Sequence, residues 1–134
     1  MDNCIFGCLN NWVDGWVDWN MVLDTQGGPN WFKNWCVAPV IVKPETDEVY
    51  FTPIYYTLSH FSKFIRPNAK RIGFTNTDKE LMVTAAKNLD GSIAVVVFNQ
   101  GEEIKNFSIN LESHKVNVKI SSQAIQTIVI QAKK

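Results

Sequence analysis

Charge of one sign is what this sequence most lacks: 13 Lys and Arg stand against 13 Asp and Glu, for a formal net charge of zero. A phosphate backbone or an anionic bilayer is captured by a one-signed field, so the balance speaks against nucleic-acid binding. Cysteine is scarce too. Cys4, Cys8 and Cys36 are odd in number and form no CxxC pair beside a His cluster, which argues against a disulfide framework and a metal site. They read as buried thiols. No run approaches the roughly 20 apolar residues that span a bilayer, so no transmembrane segment is expected, and the N-terminus lacks the basic-then-apolar layout of a signal peptide. At 134 residues the chain is also far short of the roughly 250 that a complete (β/α)8 barrel needs.

What is present is ample core material, with 46% apolar and 19% charged residues, so the chain should be globular. Ile5, Leu9 and Trp12 recur at helical spacing with Cys8 beside them, which predicts the end of a helix showing one face to a core. Residues 12–20, WVDGWVDWN, crowd three tryptophans among Asp14 and Asp18, and residues 15–20 read as a strand and its exit. The run Gly27-Gly28-Pro29 can continue no regular element, so a surface loop anchored by Trp31 and Trp35 should follow. Residues 37–42 and 48–52 are β-prone around a polar turn and predict a hairpin. Pro53 suits a first helical turn. Ile54, Leu58, Phe61 and Ile65 then share one helical face, until Pro67 stops the helix near Arg66.

Beyond Arg71 the apolar period becomes two. Phe107, Ile109 and Leu111 alternate with Asn106, Ser108 and Asn110, and Val116, Val118 and Ile120 alternate likewise. Residues 81–87 and 92–98 flank Asn88-Leu89-Asp90-Gly91, a hairpin turning at Asp90-Gly91. The fold class is therefore α+β, with an αβ piece over residues 1–69 and an antiparallel β-sandwich over residues 70–134.

The segment GWVDWNMVLDTQGGPNW at residues 15–31, with its DWN and GGPNW elements, resembles the C-terminal part of lysosomal-type glucosylceramidases in glycoside hydrolase family thirty. The likeness continues through APVIV at residues 38–42, HFSKFI at residues 60–65, Arg71-Ile72-Gly73 and DGSIAVVVFN at residues 90–99. It implies that the αβ piece is the last helix, strand and helix of a (β/α)8 barrel and that the rest is most of the accompanying sandwich. It also implies a retaining β-glucosidase acting on glucosylceramide or a related β-glucoside with no cofactor, in which one carboxyl protonates the leaving oxygen and another attacks the anomeric carbon. Neither of the family's two catalytic glutamates has a counterpart here, so no catalytic residue is expected in this chain. The missing barrel portion or N-terminal strands become its expected partners, and a lysosomal or secreted compartment is expected of the parent enzyme.

By the same resemblance Trp19 matches a tryptophan lining the glucose pocket and Asn34 a pocket asparagine. An indole face stacks on sugar C–H bonds and its N–H donates, while an amide both donates and accepts. Read without the resemblance, most large aromatics are core and most loop amides are structural. Asp14, Asp18 and Asp24 have the residue type of a glycosidase pair, yet capping is the commoner role at strand ends. His60 and His114 have no nucleophile partner and read as structural or exposed. Trp31 and Trp35 are compatible with peripheral membrane contact. Asn106-Phe107-Ser108 is a glycosylation sequon. A free-standing, non-catalytic carbohydrate-binding or interaction module built on the sandwich is the alternative reading.

Overall fold

Helix α2 (Pro53–Ser62) begins where the sequence places it, with Pro53 in the first turn after an extended Thr52. The Thr52 hydroxyl points back to the carbonyls of Ala38 and Pro39, at 3.0 and 3.1 Å, and ties the start of the helix to the segment that leads into an earlier strand. In this computed structural model residues 2–111 and 114–132 are described, with the side chains of residues 2, 3 and 114 outside that description. The reading of His114 thus falls outside the described residues. The helix ends at Ser62 rather than near Arg66. Its last turn already loosens there, with Phe64 N donating to Phe61 O, so Pro67 is not what stops it.

Before α2 come helix α1 (Asp2–Asn10) and three short strands, β1 (Val22–Asp24), β2 (Val40–Lys43) and β3 (Glu48–Phe51). The β2–β3 hairpin forms as expected, and its turn is reinforced by Glu48, which accepts from Thr46 Oγ1 at 2.6 Å and pairs with Lys43 at 3.5 Å. The strand expected over residues 15–20 lies further on, at β1. Regular pairing begins only where residues 40–42 offer a parallel partner, in the register Val22 to Val40, and Trp16 is drawn away to pack beneath the helices. Helix α1 turns Ile5, Phe6 and Leu9 inward. Trp12 lies past its end at φ 69° and is 81% exposed. Cys4 is exposed and Cys8 and Cys36 half-buried, so the expectation of buried thiols fails: on α1 the inner face is taken by the larger apolar side chains.

The second half is a four-stranded sheet in the order β4 (Lys70–Arg71), β5 (Leu81–Lys87), β6 (Ile93–Asn99), β9 (Ile125–Ile130), together with a ribbon of β7 (Lys105–Leu111) and β8 (His114–Ile120). All its pairings are antiparallel. Strand β6 is apolar without interruption because both of its faces are covered. Val95 and Val97 meet Leu81, Ala85 and Ile120 in a core shared with the β7–β8 ribbon. Val96 and Phe98 face Ile5, Phe6 and Phe61 of the two helices. Asp90 fixes the β5–β6 turn by accepting from Ser92 N and Ser92 Oγ, with Gly91 at φ 82°. A side chain beyond glycine is strained at that φ.

Helix α2 is clasped to β9 as well as packed on the sheet. Thr127 Oγ1 donates to the His60 carbonyl at 3.1 Å and stands 2.9 Å from His60 Nδ1, which makes Nδ1–H the donor of the second bond. Partial burial holds this imidazole below the usual histidine range. A depressed folded value means that the unfolded chain takes the proton more readily. The associated stability is therefore complete above about pH 6.5, the ordinary histidine value, and is lost as pH falls towards the folded value. We expect the Tm to drop on acidification from neutral pH, and to drop less in His60→Gln; identical acid dependence in the two proteins would contradict this.

Candidate functional site

The residues singled out for sugar contact lie in the irregular segments on either side of β1. Trp19 precedes the strand and is 77% exposed, its backbone N–H held by Asp18 Oδ1 at 2.9 Å. Asn34 follows it in the loop between β1 and β2, is exposed, and donates its backbone N–H to Asn30 Oδ1 at 3.2 Å. Neither side chain is fixed by a described hydrogen bond, so both amide and indole are free to meet a ligand. Two open depressions lie elsewhere, on the sandwich, one beside Asn106 and Asn117 and one beside Glu80 and Gln100, and neither is lined by Trp19 or Asn34. Both candidates thus stand exposed on irregular backbone, one before β1 and one after it.

That loop is built by a carboxylate. Asp24 Oδ1 accepts from Gln26 N and Gly28 N, both at 2.8 Å, while Asp24 N donates to Gly28 O. Gly27 sits at φ 71°, and a Cβ there would come within 2.6 Å of Cys36 N, so the two ends of the loop approach more closely than any side chain allows. Trp31 and Trp35 were expected to anchor this loop and do not: they are 95% and 68% exposed. Polar contacts from Asp24 and Asn30 hold the turn, which releases the aromatics to the surface. Phe32, Val17 and Met21 are exposed as well.

A proton donor waiting in a cleft is recognised by a raised proton affinity. Asp18 and Asp24 are engaged with backbone amides. Glu48, Asp78 and Asp90 are all held below the usual carboxylate range, chiefly by the Thr46 hydroxyl, the Glu80 backbone N–H and the Ser92 hydroxyl respectively. Lys105 pairs with Asp78 at 3.3 Å and also with Glu80, across the entry to β7. Among the described residues no group of three His, Cys, Asp or Glu side chains is placed to hold a metal ion, and no helix is long and apolar enough to cross a membrane.

Two features escaped the sequence reading. Arg71 stacks its guanidinium 4.3 Å from the Trp12 ring centroid, joining the segment after α1 to β4. Asn88, buried in the β5–β6 turn, reaches the backbone just after α2. Both contacts span long stretches of sequence and leave no local periodic signal.

Comparison with known proteins supplies what the geometry alone does not. Residues 1–65 match the model of the glycosyl hydrolase family 30 TIM-barrel domain, and residues 68–128 match that of the glycosyl hydrolase family 30 beta sandwich domain. Mouse (Mus musculus) lysosomal acid glucosylceramidase is 41% identical over 92 residues, covering 68% of this chain and 18% of that protein. The crystal structure of SrfJ from Salmonella typhimurium matches at a TM-score of 0.94 and 23% identity, over 98% of this chain and 30% of SrfJ. The endo-β1,6-glucanase BT3312 matches at 0.88 and 26%, over 96% of this chain and 29% of its own. The SrfJ likeness is evidence of fold alone. The chain spans less than a third of each of these proteins.

Proposed function

Because the chain belongs to glycosyl hydrolase family 30, with part of the family's barrel followed by its β-sandwich, we propose that it supplies one wall of the sugar site of a retaining β-glucosidase and leaves the chemistry to carboxylates outside it. The observation that carries this reading is the exposure of Trp19, within the residues 1–65 that match the family's barrel domain. Trp19 stacks on the glucose ring and donates its indole N–H, and Asn34 exchanges hydrogen bonds with the hydroxyls. The substrate is glucosylceramide or a related β-glucoside. The rest of the barrel covers the remaining exposed apolar surface around residues 12–37, so the partner of this face is protein as well as sugar. The compartment is lysosomal or secreted, and the boundary between barrel and sandwich falls near residue 70.

Two roles divide between residues in this scheme. The chain's own residues bind and orient the sugar, and a carboxyl pair set about 5 to 5.5 Å apart performs the displacement. Saturation transfer by NMR from the protein to an alkyl β-glucoside tests the binding half. Trp19→Ala should weaken binding by roughly 10- to 30-fold, the loss of about 1.5 to 2 kcal/mol in stacking and hydrogen bonding, whereas Trp31→Ala should leave it unchanged. Absence of transfer to the unaltered chain, or transfer that survives Trp19→Ala, would contradict the reading.

A further inference from the structure

The outward face of the β7–β8 ribbon is unlike the rest of the surface. Phe107, Ile109, Val116 and Val118 turn towards the sandwich core, which leaves Asn106, Ser108, Asn110, Lys115, Asn117 and Lys119 exposed on the other side. This face is amide- and lysine-rich, in contrast to the exposed tryptophans of the loop around β1. It also holds the sequence's single Asn-X-Ser/Thr triplet, Asn106-Phe107-Ser108. In an extended strand residues two apart share a face, so Asn106 and Ser108 point outward together while Phe107 packs beneath them.

We propose that Asn106 is an acceptor of an N-linked glycan and that the sugar occupies this outward face, which therefore stays in solvent in the assembled enzyme. The inference rests on the reading above of a lysosomal or secreted parent protein. Three observations carry it beyond the bare triplet. Asn106 is exposed, and among the described residues no protein hydrogen bond uses its side-chain amide. An open depression of about 310 Å³ lies directly beside it, lined by Asn106, Phe107, Ser108, Asn117, Val118 and Lys119, so solvent reaches the amide. The outward neighbours are polar: Lys119 stands opposite Asn106 in register, and Ser108 Oγ donates to Asn117 Oδ1 at 2.8 Å, so a glycan here extends over hydrophilic side chains. A bulky solubilising group on a two-stranded ribbon also blocks pairing between its open edges and other chains.

The transfer balances simply. The anomeric carbon of a polyprenyl-pyrophosphate-linked oligosaccharide forms a bond to Asn106 Nδ2 as its bond to the pyrophosphate oxygen breaks. The lipid pyrophosphate leaves with the electron pair, and the amide nitrogen gives up one proton and keeps the other. An oligosaccharyltransferase of the secretory pathway supplies the catalysis and this lipid-linked donor.

Two measurements separate the site from the route. In the first, the full chain is secreted from eukaryotic cells behind a cleavable signal sequence, with a reporter sequon on a C-terminal tail, and peptides are mapped by mass spectrometry. Glycan on Asn106, lost in Asn106→Gln and Ser108→Ala and kept in Ser108→Thr, supports the proposal. Glycan on the reporter with Asn106 bare overturns it. In the second, the protein from its natural source is treated with a peptide N-glycosidase. Conversion of Asn106 to Asp with loss of mass supports both site and compartment, whereas an unmodified Asn106 there, with the secreted chain glycosylated, contradicts the secretory reading instead of the site's competence.

Discussion

Phe61→Ala should be the most damaging single change in the helical layer, costing about 3–5 kcal/mol. Phe61 is 7% exposed and meets Phe6 edge to face, with ring centroids 5.1 Å apart at 74°. Its neighbours Ile5 and Val96 belong to the other helix and to the central strand. One side chain therefore joins α2, α1 and β6, and truncating it leaves a cavity that two helices and a sheet cannot close without moving together. Because small domains are stable by only about 5–15 kcal/mol, a loss of this size removes a large part of the total. Urea denaturation should show a much lower midpoint for Phe61→Ala, and for the exposed Tyr56→Ala a midpoint within experimental scatter of the unaltered chain. Equal midpoints for Phe61→Ala and the unaltered chain would mean that the helices do not dock on the sheet as described.

Asn88→Ala should come next, at about 2–4 kcal/mol, by a different mechanism. Asn88 is 8% exposed. Its Oδ1 accepts from Arg66 N at 3.0 Å, and its Nδ2 donates to Phe64 O and Ser92 Oγ, each at 3.0 Å. The amide thus ties the backbone that leaves α2 to the β5–β6 turn. Truncation leaves partners on both segments unsatisfied. Asn88→Asp separates this from simple loss of volume: it keeps the acceptor for Arg66 N, but sets a carboxylate against the Phe64 carbonyl, so it should be no more stable than Asn88→Ala. Thermal unfolding of the two variants reads the difference. An Asp variant as stable as the unaltered chain would show that the bond to Phe64 contributes nothing.

How much of this was legible in the sequence depends on how local each cause is. The alternation in β7 and β8, the β5–β6 turn at Asp90-Gly91, the β2–β3 hairpin and the start of α2 at Pro53 all follow from neighbouring residues, and the structure has them where the pattern put them. The displacement of the first strand to Val22–Asp24 was not legible, because its limits are set by residues 40–42 and by the burial of Trp16 under distant helices. Nor was the double-sided burial of β6: the run IAVVVF announces a buried strand, but not that helices cover one face and a ribbon the other. At the candidate site, Trp19 and Asn34 were named by resemblance, since an exposed tryptophan and a loop amide have no periodic signature. The exposure of Trp31 and Trp35 ran against expectation because Asp24, four residues from Gly28, builds the loop without them.

The same division bears on function. Carboxylates such as Asp18 and Asp24 have the residue type of a glycosidase pair, and the structure engages them with backbone amides. Residue type alone does not make a general acid; the surroundings must favour the protonated form, and the surroundings of Glu48, Asp78 and Asp90 favour the charged one. On the proposed reading, the exposed apolar side chains between Trp12 and Val37 are what the chain presents to sugar and to the rest of a barrel.

The most direct test of this account is hydrolysis of a fluorogenic β-glucoside by the purified chain, with Trp19→Ala assayed beside it. The account predicts no turnover above the blank for either protein, because the displacing carboxyl pair lies outside the chain. Turnover by the unaltered chain that disappears in Trp19→Ala would contradict it, and would place a working pair of carboxyls among the residues around Trp19, with Asp14 and Asp18 the first to replace.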